Sequence, residues 1–350
     1  MSKQQSCDCT NTKTNTEVPN KSLPEIRPTT WSTGNAELKD HILARLGVYR
    51  LNHRVDPGLY SLGKPTPKSP AFVSANYTLS FDMLRSSLKH TDAYILVLDT
   101  QGVNVWCAAG KGTFGTDELV SKIQTTNLAD VVSHRKLILP QLGASGVNSF
   151  EVEKQSGFKV EYGPVRTNDL PEYLKTGKAT PEMRQVKYTL KDRLVLIPVE
   201  LSVAALPLIV AVIALDILGG VLPASAVAVS VLAGTALFPA VLPWLPTRDF
   251  SSKGFTLGIL LALPFADSAF LGNSGSAIWL QVALGLAYVF LMAPITAYLA
   301  LNFTGSTTFT SRTGVKKEIF RYIPAMAASL VVGAVLAALV IAMHFLGGGI

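Results

Sequence analysis

Charge is scarce in one half of this sequence. From Leu194 to Ile350 only six Lys/Arg and five Asp/Glu occur in 157 positions, about 7%, against about 23% over residues 1–193. That split excludes a single soluble domain and a generally disordered chain, and it implies a soluble half followed by a membrane half. Cysteine is scarce too. Three in 350 residues cannot build a disulfide framework or supply the four thiolates of an iron–sulfur cluster. Residues 1–25 hold no apolar core, so no signal peptide is expected. There is no Walker pattern, no Arg-rich helix and no interleaving of aromatic with basic residues. The net charge of +7 therefore reads as juxtamembrane positive charge, with no nucleic-acid partner.

What the second half does have is long apolar runs. A span needs about 20 apolar residues, and five segments qualify, at 194–215, 221–242, 255–271, 277–301 and 323–346. Pro207, Pro239, Pro264 and Pro294 interrupt four of them, which membrane helices tolerate. The third is the shortest and contains Asp267. Lys178, Arg184, Lys187, Lys191 and Arg193 precede the first span. Arg248 and Lys253 lie between spans two and three, and Arg312, Lys316, Lys317 and Arg321 between four and five. The other two connections carry no Lys or Arg. All the positive loops share the side of the soluble half, which the positive-inside rule makes the cytoplasm. The expected location is the inner cell membrane, multi-pass, in contact with membrane lipid. Glu200, Asp216 and Asp267 are ionisable residues in or near the bilayer. With no ion-pair partner or inverted repeat evident, an anchor or docking platform is favoured over a transport pathway.

Residues 1–35 read as a disordered polar tail, in which Cys7 and Cys9 form a C-x-C pair. Residues 36–193 read as one domain. A helix from about Glu37 leads into a Pro-rich loop. Strands are expected near 71–73, 93–98, 136–139 and 159–162, with helices near 80–88, 116–123, 130–134 and 169–175. Strand–helix alternation of this kind gives an α/β, Rossmann-like fold with a mostly parallel sheet. Ligands bind beyond the carboxyl ends of such strands, which directs attention to the loop after 93–98.

That loop contains two signals. Residues 110–115 match G-x-G-x-x-G. A dinucleotide fingerprint needs a tight strand–loop–helix turn, and eleven residues between Leu98 and Gly110 are too many. Cys107 is the stronger signal. Ala108-Ala109-Gly110 leave no bulk beside its sulfur, so a large flat ligand could approach. A helix N-terminus, with Lys111 four residues on, would favour its thiolate. A buried structural cysteine is the equal alternative on these residues alone. A cysteine-protease reading lacks a base, because His134 sits at what reads as a solvated helix end.

The run Asn104-Val105-Trp106-Cys107-Ala108-Ala109-Gly110-Lys111 resembles the cap-helix motif of the HgcA family, the corrinoid proteins of the microbial mercury-methylating pair. Residues 67–85 and 301–318 resemble segments shared with the corrinoid iron–sulfur protein of the acetyl-CoA pathway. The resemblance implies a corrinoid-binding domain followed by five spans. It implies a cobalamin-type corrinoid held base-off, with Cys107 as the lower axial ligand to cobalt. A soft thiolate suits cobalt. As a strong donor it favours release of the opposite methyl group, as a carbanion equivalent or radical, to Hg(II), giving methylmercury. The D-x-H-x-x-G motif of His-ligated corrinoid proteins is absent, in keeping with cysteine ligation.

The implied roles follow by residue. Cys107 carries the chemistry. Asn104, Val105, Trp106, Ala108, Ala109 and Gly110 shape the helix under the corrin, and Lys111 and Gly112 position it or meet corrin amides. Ser74, Asn76 and Tyr77 end an earlier strand and are candidates for the corrin rim, as are Gly143 and Ala144 after a later strand. The implied partners are a ferredoxin-like protein with two 4Fe–4S clusters (HgcB-type) as electron donor, and a methyl-donating methyltransferase. Two alternatives stay open: a membrane-bound corrinoid methyl carrier of one-carbon metabolism with mercury incidental, and a transporter or receptor with a cytoplasmic ligand-binding domain.

Overall fold

The computed structural model describes residues 25–272, 275–307 and 311–346. Cys7 and Cys9 lie outside them. The first half runs β1 (Ile26–Thr29), α1 (Asn35–Arg45), β2 (Gly58–Leu62), β3 (Ala71–Ala75), α2 (Thr78–Ser87), β4 (Ala93–Leu98), α3 (Val105–Lys111), α4 (Thr116–Thr125), α5 (Leu128–Val131), β5 (Lys136–Leu139), α6 (Ser149–Ser156), β6 (Lys159–Tyr162) and α7 (Leu170–Thr176). One six-stranded sheet has the order β1-β2-β4-β3-β5-β6. β3, β4, β5 and β6 are parallel, and β2 runs antiparallel to β4.

Period-two alternation decides the layers. Along β4, Tyr94, Leu96 and Leu98 face α3–α6, while Ala93, Ile95 and Val97 face α2 and α7. Both faces are covered, so β3 and β4 are buried at every position. From β3 the chain moves to one side, to β4; from β5 it moves to the other, to β6. The crevice between the carboxyl ends of β3 and β5 is the topological switch point, where doubly wound sheets bind ligands.

Three local expectations are corrected. β1 lies inside the stretch read as a tail, where Ile26 packs on the core and the Trp31 indole N–H donates to the Thr91 carbonyl at 3.1 Å. The Pro-rich loop contains β2, whose pairing with β4 sequence periodicity could not show. The helix expected at 130–134 stops at Val131. Val132 is extended, and His134 is tied to the Ser69 carbonyl at 2.8 Å rather than ending a helix.

The second half contains α8 (Leu190–Leu194), α9 (Ile197–Gly219), α10 (Val221–Leu232), α11 (Phe238–Val241), α12 (Phe250–Gly272), α13 (Ile278–Leu301) and α14 (Arg312–Leu346). Among the described residues five helical stretches are long and apolar enough to cross a membrane. A π-helical turn at 233–237 joins α10 to α11. α13 is central, touching α10, α12 and α14. Gly254 and Gly258 of α12 make this possible. A Cβ on Gly254 would lie 2.6 Å from Ala297 Cα, and one on Gly258 2.6 Å from Ala293 Cα. This G-x-x-x-G contact lets two backbones touch where apolar side chains gain nothing over lipid.

Two helices begin earlier than apolarity suggests, α12 at Phe250 rather than Phe255 and α14 at Arg312 rather than Ile323. A helix end standing in water needs no apolar residues, so hydropathy finds only the embedded part. At the soluble-domain end of the bundle the Arg193 guanidinium donates to the Pro239 and Ala240 carbonyls at 2.8 Å. Tyr188 and Leu196 pack there against a cluster that includes Phe238, Phe250 and Phe303. Burial pushes the Tyr188 phenol up to about 12.

Candidate functional site

The site is built on the turn after β4. Gln101 and Gly102 both take left-handed backbone (φ 58° and 73°), which reverses the chain abruptly. Asn76, buried at the end of β3, holds this turn. Its Oδ1 accepts from the Thr100 N–H at 3.1 Å and the Gly102 N–H at 2.9 Å, and its Nδ2 donates to Asp99 Oδ1 at 3.1 Å. The Thr100 hydroxyl lies 2.8 Å from Asn76 Oδ1 and 2.7 Å from the Val103 carbonyl. Asn76 thus fastens β3 to the loop that launches α3.

α3 starts at an Asn104 N-cap, whose Oδ1 accepts from the Cys107 N–H at 2.9 Å. It ends at Gly112, left-handed at φ 89°. The helix has two faces. Val105, Ala108 and Ala109 are buried in the core. Asn104, Cys107, Gly110 and Lys111 form the outer face, with Cys107 half-buried as a free thiol and Lys111 exposed one turn further. A Cβ on Gly110 would meet nothing within 4 Å.

The small residues therefore serve two ends. Ala109 is small because Gly146 comes up against it: a Cβ there would lie 2.9 Å from Ala109 Cα and collide with the Phe114 carbonyl. Gly110 is small on the open side, next to the sulfur. α3 touches β3 and the turn Gln141–Gly143 after β5, so it lies across the switch point. The G-x-G-x-x-G run is the link from α3 to α4, with Gly112 closing one helix and Gly115 opening the next. It is not a strand-to-helix phosphate turn.

Several expected residues have other duties. Ser74 is buried and its hydroxyl donates to the Ala75 carbonyl at 3.1 Å. Asn76 is consumed by the turn. Both side chains are buried and engaged in hydrogen bonds within the domain. Tyr77 caps α2; burial raises its phenol, against the nearby Arg45 and Arg50. Gly143 is buried, and a Cβ there would lie 2.5 Å from the Phe114 ring, so it is a close-contact position. Ala144 does reach open space. With Trp106, Gln141, Leu142, Ser145, Val165, Arg184, Gln185 and Val186 it lines a cleft of about 490 Å³ beside α3. Arg184 spans it, donating to Gln141 Oε1 at 2.8 Å. Sequence reasoning missed Gly146, Asp99 and the linker residues 184–186. A second glycine in LGASG was a visible signal for the first; nothing local marked the others. The Asn104 cap also alters the thiolate argument, since it occupies the N–H of Cys107 itself.

The donor set suits a soft metal in a flat ligand. There is one thiol, on an outward helix face, with an open flank where any larger residue at 110 would project. Among the described residues there is no group of three or more His, Cys, Asp or Glu that could hold a metal ion by itself.

Comparison with known proteins bears on this half. Residues 41–174 match the family described as CO dehydrogenase/acetyl-CoA synthase delta subunit. The chain is 34% identical over 122 residues to the acetyl-CoA decarbonylase/synthase complex subunit gamma of Methanopyrus kandleri, covering 34% of this chain and 26% of that protein. The subunit gamma of Methanothermobacter thermautotrophicus is 32% identical over 143 residues, 39% of this chain and 31% of the relative. The corrinoid/iron–sulfur protein large subunit of Moorella thermoacetica is 25% identical over 154 residues, 41% and 34% respectively. The chain thus spans about a third or less of each relative's length.

Proposed function

We propose that residues 36–193 form a cytoplasmic corrinoid-binding domain held at the membrane by the five helices, and that the protein methylates Hg(II). The observation that carries this reading is the outer face of α3, where the Cys107 thiol stands beside Gly110 at the switch point. When bound, a corrinoid would supply a methyl group on cobalt. The chain's own part would be to hold a base-off corrinoid. Cys107 would hold the metal through its thiolate, and Gly110 would leave room for the ring beside it. Asn104 fixes the first turn of α3 by its cap. Ala108 and Ala109 seat the helix on the core, with Val105 beside them. Trp106 and Ala144 line the flanking cleft. Lys111 puts a positive charge on the exposed end of the same face.

Hg(II) is the substrate, and as an electrophile it needs a methyl group delivered with its electron pair or as a radical. A thiolate donor on the metal would favour that direction of transfer. Because the three cysteines cannot hold a cluster, a ferredoxin-like partner of the HgcB type would supply electrons, and a separate methyltransferase the methyl group. The concentration of Lys and Arg in loops at the soluble-domain end supports a cytoplasmic orientation in the cell membrane.

A second reading is supported by the similarity over residues 41–174: a membrane-bound methyl carrier of one-carbon metabolism. One experiment addresses both. The full chain is purified in detergent, loaded with methylated corrinoid, and given Hg(II) or a panel of thiol and metal-centre acceptors. Methylmercury formation that collapses in Cys107→Ala supports the proposal. Undiminished methylmercury in that variant overturns it, and transfer only to other acceptors supports the carrier.

A further inference from the structure

α1 is amphipathic the wrong way round for a helix on a soluble domain. The face it turns to the protein is polar. Glu37, Asp40 and His41 lie at spacings of three and four and meet α2 and its surroundings through polar contacts. His41 Nε2 is 2.7 Å from Asp82 Oδ2, Asp40 Oδ2 accepts from the Thr78 hydroxyl at 2.6 Å, and Glu37 Oε1 is 3.5 Å from Arg85. Asp82 and Arg85 are both buried and pair at 2.6 Å. The face turned outward carries apolar side chains, with Lys39 among them. Leu38 is 57% exposed and Ile42 52%, with Leu43 and Leu46 beside them, and no residue of α1 is buried. The chain after the helix continues the patch with Val48, Tyr49 and Leu51. Lys39, Arg45 and Arg50, all exposed, are interspersed with these residues.

The position of this patch says what covers it. At Gly47, directly after α1, a Cβ would lie 2.8 Å from the Val199 side chain, in the first turn of α9. Val199 belongs to the first of the five membrane-competent stretches, at its soluble-domain end. Trp244, 77% exposed, ends the second stretch at that same end, where an interfacial aromatic is expected. The outward face of α1 is therefore continuous with the level at which the bundle meets the headgroups. Apolar side chains at this level can enter the interface while the long stems of Lys39, Arg45 and Arg50 snorkel their charges to the headgroups.

We infer that α1 and residues 46–51 dock on the cytoplasmic lipid surface, sinking Leu38, Ile42, Leu46, Tyr49 and Leu51 among the acyl-chain ends and setting Lys39, Arg45 and Arg50 against anionic headgroups. The inward polar contacts then have a purpose: they tie this lipid-facing helix to α2 and so fix the domain against the membrane. The loop is also in contact with the site's launching turn, since a Cβ on Gly102 would lie 3.1 Å from the Leu51 carbonyl. Docking would hold the start of α3 at a set height above the bilayer. The inference rests on the reading that the bundle spans a membrane.

The test uses the full chain with Cys7, Cys9 and Cys107 replaced by Ser, carrying one nitroxide, in vesicles of phosphatidylcholine and phosphatidylglycerol. Labels at Ile42→Cys and, separately, Leu38→Cys are compared with Ile209→Cys on the exposed flank of α9 and Lys154→Cys on α6. Relaxation by oxygen with loss of relaxation by a water-soluble nickel chelate at 38 and 42, matching 209 and opposite to 154, is the expected result. Nickel access at 38 and 42 equal to that at 154 would overturn the proposal. So would shielding from both reagents, which would mean a protein partner or a second copy of the chain. Nickel access at 209 as well would remove the membrane reading itself, and the proposal with it.

Discussion

Replacing Asn76 with Ala tests the idea that one buried amide holds the functional turn. The substitution removes the acceptor of two buried backbone donors, the N–H groups of Thr100 and Gly102. Thr100 is fully buried, and Gly102 is buried with it. The Thr100 hydroxyl is spared, because the Val103 carbonyl at 2.7 Å remains. Each orphaned buried N–H costs about 1–3 kcal/mol. Two at the edge of a loop, where some water can enter, come to about 2–4 kcal/mol. The loss is local, so it should appear as easier opening of residues 99–104 rather than as global unfolding. At about 1.4 kcal/mol per factor of ten, amide hydrogen exchange in that segment should accelerate by about 30-fold to about 1000-fold. Exchange in β4 should change little. Corrinoid affinity should fall as well, because α3 loses its fixed start. Exchange at 99–104 within about threefold of the unmutated protein would refute the reasoning, since even one orphaned N–H predicts more than that.

Other expectations follow from the same geometry. Gly110→Ala should keep or slightly raise thermal stability, because alanine favours the helix and its methyl enters open space, and should weaken corrinoid binding by filling the ligand face; Gly146→Ala should lower the melting temperature, because its methyl meets the Phe114 carbonyl and Ala109. Paired melting curves and titrations of corrinoid absorbance would check both. Gly258→Leu should disrupt α12 against α13 and yield an aggregated or protease-sensitive membrane half, read by size-exclusion profile in detergent. His53 has Asp40 Oδ1 and the Val48 carbonyl each 2.6 Å from its two ring nitrogens. Burial disfavours its charge, but those two acceptors outweigh burial and raise its pKa above 6.5. The raised value means a stabilisation fully present below pH 6.5 and lost as pH rises through the higher folded pKa. The melting temperature should fall over that range, and in His53→Gln the fall should be absent.

Much of the architecture was legible because it rests on local chemistry. Hydropathy counts the bilayer's demand for apolar length, so the five stretches and their positive flanks could be read directly. Most of the alternation of strands and helices in residues 71–176 was legible too, since buried strands and amphipathic helices have different periods, but α6 was not among the expected helices and α5 stops short of His134. β1 and β2 were not legible. They are short, and β2 sits among prolines and glycines, so its only reason to be a strand is β4 beside it. Within the site the division falls between backbone and side chain. Cys107 and the run around it stood out in the sequence, and α3 does lie where that run predicts a helix. Ser74, Asn76 and Gly143 were expected near a ligand, and the structure adds internal duties that the sequence did not show: a buried hydroxyl bonded to the Ala75 carbonyl, a clamp on the 100–102 turn and a close contact with Phe114.

The sequence by itself determined which residues are apolar, where charge stops, and that one cysteine stands among small neighbours. Only the tertiary structure decided what the smallness is for. Ala109 makes way for Gly146, thirty-seven positions on, while Gly110 makes way for open space. It also decided that the apolar side of α1 points away from the domain, because His41, Asp40 and Glu37 find their partners on α2 and its neighbours. A residue's period fixes which side of its own helix it occupies. Which of the two sides is the inside depends on what the rest of the chain brings up against it.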